Sequence, residues 1–388
     1  MSAPKARLFA PGPVPVDPEV LAALAQPVVH HRTAAFRAAF LRVREALADL
    51  AEVPGDDVLL VSGSGTSAFE GALLAAVPRG GTVVALTGGK FGERWADLAR
   101  RFGYAVREVD ARWGRAHDPQ AVVDALRAGP AADAVTVVHS ETSTGVLHDV
   151  AAIAEAVRSV APDALVLVDA VTSLAAAELR PRAWGLDAVV SGSQKGVRLP
   201  PGLGFAWLSQ RAWARAADPA VRVPAFALDL HAERPKQRVG DVGATPPTSL
   251  VVAADVGLAR LRAEPSEARW ARKARLNRAL LAAGAAAGAR PFAERPSPAV
   301  AALETPSGVD AERVVQELAA RGVRIAGGQD GLKGRVVRPS ALGDVDELDV
   351  VLLAAALEDA FRAVGMDVPY GAAAGAALAE LAVDDQVG

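Results

Sequence analysis

Between residues 58 and 209, short apolar runs alternate with segments whose apolar positions recur at helical spacing. Most of the runs are apolar throughout, which is typical of strands covered on both faces of a mainly parallel sheet. The pattern therefore predicts an α/β fold with a doubly wound sheet. The runs are VLLV at 58–61, VVAL at 83–86, VTVVH at 135–139, ALVLVD at 164–169, AVVS at 188–191 and GFAWL at 204–208, and the helical segments cover 67–77, 93–102, 119–128 and 150–160.

The pattern changes near residue 250. Two long helical segments, 251–263 and 267–286, are followed by short apolar runs and two further helical segments at 311–321 and 345–364. This arrangement predicts an N-terminal arm over 1–14, a large domain over 15–250 and a smaller C-terminal α/β domain over 251–365. The alanine-rich segment over 366–388 is expected to be a frayed tail.

Composition narrows the function. The 388 residues are 51% hydrophobic, enough for a sizeable core and more than one domain usually contains. A net charge of −3 provides no basic field for nucleic acid, and no apolar window is long enough to predict a membrane span. The absence of cysteine excludes disulfides, thiolate metal sites and thiol nucleophiles. The N-terminus lacks a signal-peptide pattern, and we expect a cytoplasmic location.

Polar residues that directly follow strands are candidates for chemistry, because ligands of such sheets lie beyond the carboxyl ends of the strands. In the turn SGSGTS at 62–67, glycines let the backbone approach an anion, and Ser64 and Thr66 add hydroxyl donors at a helix start. The turn has neither the GxGxxG pattern nor the GK[ST] ending of nucleotide-binding turns. It predicts a phosphate site, with a simple helix-capping turn as the alternative.

Asp169 ends the run ALVLVD, where a carboxylate is costly to bury without a cationic partner. Helix capping is the ordinary alternative, and no metal site is predicted because no His or Glu cluster lies at ligand spacing. Lys195 follows in SGSQKG, although lysines are usually solvated at the surface. In this order, a phosphate site, an acid for a protonated ring nitrogen and a lysine for a Schiff base are the parts that bind pyridoxal phosphate.

Further motifs extend this interpretation to nearly the whole chain. With them the sequence resembles the class V aminotransferases of pyridoxal phosphate fold type I, and within these the alanine:glyoxylate and serine:pyruvate or serine:glyoxylate aminotransferases. The resemblance implies pyridoxal 5′-phosphate as cofactor, small amino acids and 2-oxo acids as substrates, and a homodimer with shared active sites. The motifs are SGSGT, FGERW, HSETSTGVL, LVLVDAVTS, SGSQKG, PPGLG, TPPTSL and GRVVRPSALG.

The resemblance also implies roles for individual residues. Lys195 would form the Schiff base with the cofactor and carry a proton, and Asp169 would pair with the pyridinium nitrogen. Arg338 would bind the α-carboxylate of the substrate through its planar guanidinium. The other implied contacts are with the phosphate (Ser64, Gly65, Thr66, Gln194, and Thr245 from the partner subunit), the ring (Phe91), the rest of the cofactor (Thr142) and the substrate (Gly12).

Several of these residues have ordinary local interpretations as well. The alternative for Phe91 is an ordinary core residue, and for Arg338 it is a surface residue. The segment around Gly12 can equally be a plain extended prolyl arm. The chain also departs from the family pattern, because Val242 stands where relatives carry a tyrosine. For Arg198 a surface ion pair is favoured over contact with an acidic substrate.

The expected function is a ping-pong transamination from alanine or serine to glyoxylate or pyruvate. Two alternatives stay open. A lyase or desulfurase of the same fold usually has histidine before the lysine, and a desulfurase needs cysteine, whereas this chain has Gln194 and no cysteine. A non-catalytic regulatory or binding protein of this fold would be expected to have lost Lys195, Asp169 or Arg338, and all three are present.

Overall fold

A seven-stranded sheet forms the centre of the computed structural model, which describes residues 5–221 and 223–383. The strands along the chain are β1 (Arg7–Leu8), β2 (Val58–Ser62), β3 (Thr82–Thr87), β4 (Ala105–Asp110), β5 (Ala134–Val138), β6 (Ser140–Glu141), β7 (Val146–Leu147), β8 (Leu165–Asp169), β9 (Ala188–Gly192), β10 (Leu203–Leu208), β11 (Arg290–Pro291), β12 (Leu303–Glu304), β13 (Val323–Arg324), β14 (Ala326–Gly327) and β15 (Val336–Arg338). The central order is β2-β10-β9-β8-β5-β3-β4, with β10 antiparallel to both neighbours and all other pairs parallel. The predicted α/β fold with a mainly parallel sheet is confirmed.

Helices cover both faces of this sheet. The helices along the chain are α1 (Pro18–Leu24), α2 (Ala34–Ala51), α3 (Gly65–Ala76), α4 (Lys90–Arg101), α5 (Pro119–Arg127), α6 (Val150–Val160), α7 (Gln210–Ala216), α8 (Leu230–Arg238), α9 (Thr248–Arg262), α10 (Ser266–Ala286), α11 (Ala311–Ala320), α12 (Glu347–Ala363) and α13 (Ala372–Leu381). Within β8, Val166 and Val168 pack in the cluster of α2, α5, α6 and α9, whereas Leu165 and Leu167 pack in that of α3, α4, α7 and α8. This alternation explains why the run is apolar throughout.

A second, antiparallel sheet has the order β11-β12-β15-β14, and α10, α11, α12 and α13 share its hydrophobic cluster. The N-terminal arm joins this part of the chain, because β1 pairs in parallel with β13 and Ser340 N donates to Phe9 O at 2.8 Å. Helix α9 packs in the core of the large sheet through Val251 and Leu258. The domain division at residue 250 remains a prediction.

Several elements differ from the sequence-based expectation. Strand β4 (AVREVD) was not predicted, because it is an edge strand with mostly solvated side chains and little apolar signal. Helices α1, α2, α7 and α8 were not predicted either. The expected frayed tail contains α13, whose Ala373 and Ala377 are buried against α10 and α12 because alanine allows close approach. Residues 1–4 of the arm and 384–388 of the tail lie outside the described residues.

Candidate active site

A cavity of about 350 Å³ lies at the carboxyl ends of β5 and β8 and beside the turn that follows β9. Polar residues reach it because the carboxyl ends of neighbouring parallel strands meet at one edge of the sheet. A larger groove of about 730 Å³, lined in part by Arg290 and Arg335, brings together none of the predicted residues. The predicted residues that line the smaller cavity are Gly12, Ser64, Gly65, Thr66, Phe91, Asp169, Gln194 and Lys195.

Lys195 lies in the turn after β9, and its Nζ donates a hydrogen bond to the carbonyl oxygen of Pro11. Gly12 has a φ of +128°, and a Cβ at this position would overlap the Lys195 side chain. The arm can therefore pass the lysine only with glycine here. Burial and the charge of Arg338 lower the pKa of Lys195 to about 8, although Asp169 acts in the opposite direction. An amine with this pKa can exchange its proton near neutral pH.

Asp169 is the last residue of β8 and is only 6% exposed. Its Oδ1 accepts a hydrogen bond from Val171 N at 2.8 Å. Burial raises the pKa of Asp169 to about 7, and this hydrogen bond and the charge of Lys195 oppose the rise. A cationic group bound in the cavity would stabilise the ionised form. The protonated ring nitrogen of pyridoxal phosphate is a group of this kind.

The turn after β2 brings a helix start to the same cavity. Ser64 precedes α3, and its backbone N–H donates to Ser67 Oγ at 3.3 Å. The backbone at Gly65 passes so close to Val171 that an added Cβ would lie 2.6 Å from Cγ2. Among the described residues, nothing bonds the buried Oε1 of Gln194, so its amide can reorient toward a ligand. Helix N–H groups, hydroxyls, the buried acid and the amine together fit pyridoxal phosphate.

Phe91 is the second residue of α4 and forms one wall of the cavity. The guanidinium of Arg94, which also lines the cavity, lies 4.8 Å from the centroid of the Phe91 ring. Sequence reasoning missed Arg94, although three-residue spacing places it on the same helix face as Phe91. Its charge lowers the pKa of both Asp169 and Lys195, so it belongs to the electrostatics of the cavity.

Arg338 and Thr142 meet beside the cavity without lining it. Arg338 Nη1 donates to the carbonyl oxygen of Thr142 at 2.8 Å, and Nε donates to that of Gly327 at 2.7 Å. Arg338 is thus buried, contrary to its surface interpretation, and burial lowers its pKa to about 10. Within the described part of the chain no carboxylate lies within ion-pair distance of this guanidinium. Thr142 contributes its backbone to this contact.

Thr245, Val242 and Arg198, which the sequence analysis singled out, all lie away from the cavity. Thr245 is exposed in the loop before α9, so its contact with the cofactor of a partner subunit remains a prediction. The neighbouring Val242 lines a separate cavity of about 80 Å³ together with Phe226. Arg198 lies 3.9 Å from Asp344, which agrees with the favoured ion pair, although its side chain is largely buried.

Sequence and structure comparisons place this geometry in a family. The family model for "Aminotransferase class-V" matches residues 17–340. The mostly parallel seven-stranded sheet matches that of the pyridoxal phosphate-dependent enzymes of fold type I. The chain belongs to the class V aminotransferases, and its cofactor is pyridoxal 5′-phosphate. No helix in the described ranges is long and apolar enough to cross a bilayer.

The relatives carry different names. The soluble hydrogenase 42 kDa subunit of Anabaena cylindrica is 37% identical over 97% of this chain and 98% of its own length. The serine–glyoxylate aminotransferase of Methylorubrum extorquens is 31% identical over 96% of this chain and 95% of its own. The crystal structure of a subgroup IV aspartate aminotransferase from Thermus thermophilus has a TM-score of 0.86 and 38% identity, and the match covers 92% of this chain and 99% of that one.

Proposed function

We propose that the protein transfers the amino group of alanine or serine to glyoxylate or pyruvate in two half-reactions. The observation that carries this proposal is the presence of Lys195 and Asp169 in one cavity, with pKa values of about 8 and about 7. When bound, pyridoxal phosphate supplies an aldehyde that takes up the amino group and a protonated ring that withdraws electrons. The remaining tasks fall to side chains of this chain.

Lys195 is the proposed proton carrier. Its lowered pKa leaves a useful fraction of the amine neutral near pH 7, so Nζ can take the proton from the substrate Cα and later return a proton. The hydrogen bond to the Pro11 carbonyl orients Nζ in the cavity, and the absence of a side chain at Gly12 leaves room for the lysine. Asp169 holds its negative charge against the protonated ring nitrogen.

Binding and orientation involve the other predicted residues. Ser64, Gly65, Thr66 and Gln194 hold the phosphate, and Phe91 covers the ring. Arg338 binds the carboxylate that every amino and oxo acid substrate carries. Two carbonyl oxygens fix the plane of its guanidinium. We also propose a homodimer in which Thr245 reaches the phosphate in the partner subunit.

The donor and acceptor are inferred from relatives. Serine and glyoxylate appear in the name of the Methylorubrum relative, and aspartate in that of the Thermus structure. Alanine and pyruvate come from the family resemblance of the sequence motifs. The hydrogenase name of the Anabaena relative is not carried over, because a chain without cysteine offers no thiolate ligand for a redox cluster.

A single-turnover experiment tests the proposal. The purified holoenzyme should absorb in the visible range, and L-serine or L-alanine without an acceptor should bleach this band. Lys195→Ala should abolish both, whereas the exposed Lys333→Ala should change neither. Each donor, with aspartate added, is then paired with glyoxylate, pyruvate or oxaloacetate. A protein that binds no pyridoxal phosphate, or that transfers no amino group to any acceptor, would contradict the proposal.

A further inference from the structure

Glu141 is a buried carboxylate to which the proposed function assigns no role. It ends the short strand β6 and is 1% exposed. Its Oε2 accepts hydrogen bonds from Phe91 N at 3.0 Å and Gly92 N at 3.2 Å, and its Oε1 accepts from Ser143 N at 3.0 Å and Ser143 Oγ at 2.5 Å. All four partners donate in this arrangement, and an ionised carboxylate can accept all four bonds.

The first two bonds fix the wall of the cavity that carries Phe91. They cap the first turn of α4, and Lys90 N adds a bond to Ser143 Oγ at 3.0 Å. The backbone at Gly89 closes over the carboxylate so tightly that an added Cβ would lie 2.5 Å from Glu141 Cγ. The position of the aromatic ring therefore depends on this carboxylate.

The same turn fixes Arg338 on the other side. Thr142, the residue after Glu141, offers its carbonyl oxygen to Arg338 Nη1 at 2.8 Å. Gly145 N closes the turn by donating to Glu141 O at 2.8 Å. One five-residue turn thus holds both the proposed ring-stacking residue and the proposed carboxylate-binding residue.

Glu141 also contributes charge. Arg94, Lys195 and Arg338 are cations in and beside the cavity; Asp169 and Glu141 both act on Lys195, and Glu141 also acts on Arg338. The negative charge of Glu141 raises the pKa of Asp169, Lys195 and Arg338 alike. Burial raises the pKa of Glu141 above its usual value, and its hydrogen bonds from Ser143, Phe91 and Gly92 reduce that rise.

We propose that Glu141 is a positioning residue of the active site, which fixes Phe91 and Arg338 on two sides of the cavity and balances the cationic charge around Lys195. This inference rests on the proposed transamination for its kinetic part. The electrostatic part requires only that the cofactor is attached at Lys195. A plain helix cap would need hydrogen-bond acceptors but no charge, and this difference makes the proposal testable.

The test compares Glu141→Gln, Glu141→Asp and Ser143→Ala as holoenzymes. Glu141→Gln keeps the shape and removes the charge, whereas Glu141→Asp keeps the charge and shortens the reach. Ser143→Ala removes one hydrogen-bond donor to the carboxylate and keeps the charge. The visible absorbance of each protein is titrated with pH, its pyridoxal phosphate dissociation constant is measured, and kcat and KM are determined for the best donor.

In Glu141→Gln, the band of the protonated form should disappear at a lower pH than in the wild type, because a nearby negative charge stabilises the proton on the Lys195 nitrogen. In Ser143→Ala and Glu141→Asp, the midpoint of this pH titration should stay at the wild-type value. Glu141→Gln and Glu141→Asp should both lower kcat/KM about tenfold to a hundredfold and raise KM, because Phe91 and Arg338 would be displaced.

Two results would overturn the proposal: a Glu141→Gln enzyme with wild-type titration midpoint and kcat/KM, or a Ser143→Ala enzyme whose midpoint shifts as far as that of Glu141→Gln. If circular dichroism shows that Glu141→Gln does not fold, Glu141→Asp decides. A Glu141→Asp enzyme with a kcat/KM below that of the wild type and an unchanged titration midpoint supports the proposal, and any other result for this variant contradicts it. A wild-type holoenzyme that titrates normally but transfers no amino group refutes only the proposed function, and the midpoints still decide the role of the charge.

Discussion

Replacing Lys195 with methionine should abolish transamination and, at the same time, stabilise the cofactor-free protein. Burial lowers the pKa of Lys195 from 10.5 to about 8, so folding disfavours the ammonium form. At 1.36 kcal/mol per pKa unit, this corresponds to about 3 kcal/mol of folding free energy at pH 7. Methionine has similar length and no charge, but it loses the hydrogen bond to Pro11, which offsets about 1 kcal/mol. The net gain should be about 2 kcal/mol.

The pH dependence gives the effect a second signature. Because the folded pKa lies below the unfolded value, the unfolded chain holds more protons between pH 8 and 10.5, and the stability of the wild type rises across that window. Lys195→Met lacks this rise, so its advantage at pH 7 should disappear near pH 10. Equilibrium unfolding of the cofactor-free proteins in guanidinium at both pH values measures the two quantities.

The exposed Lys333→Met is the matched control and should change stability by less than about 0.5 kcal/mol at either pH. A Lys195→Met protein that is less stable than the wild type at pH 7 would refute the reasoning. So would an advantage of the same size at pH 7 and pH 10, since it would reflect packing and not the buried charge.

Three further predictions concern other residues. Asp169→Asn should lower kcat about a hundredfold to a thousandfold by removing a preorganised charge, with cofactor binding largely retained; steady-state kinetics and absorbance check this, and an unchanged kcat would contradict it. Arg338→Ala should raise KM for every amino acid donor about tenfold to a hundredfold, since charged hydrogen bonds contribute about 1.5–3 kcal/mol, and an effect on only one donor would argue against α-carboxylate binding. Burial lowers the pKa of His139 from 6.5 to about 4, and because this folded pKa lies below the unfolded value, the stability of the protein falls as the pH drops from 6.5 to 4. His139→Gln should remove about 3 kcal/mol of that loss, measured by acid unfolding. An equal pH dependence of stability in both proteins would refute this prediction.

Much of the fold was predictable because the signals are local. Strands such as β8 are apolar throughout since both faces are covered, and the helices between them carry apolar positions at helical spacing. Strand β4 escaped prediction because an edge strand with solvated side chains has no such signal. The burial of α13 depends on contacts with α10 and α12, which a pattern of alanines does not reveal.

In the active site as well, the residue types could be predicted from the sequence, whereas the environment of each residue depends on the tertiary structure. By itself, the sequence determined which residues follow the strands: the turn at 62–67, Asp169 and Lys195, in the order that pyridoxal phosphate requires. Only the tertiary structure decided their charges and partners, because the pKa of Lys195 depends on burial and on Arg338, which is 143 positions away in the chain. Glu141 was equally hidden, since three backbone N–H groups and one hydroxyl, from Phe91, Gly92 and Ser143, donate to it and distinguish it from an ordinary surface acid.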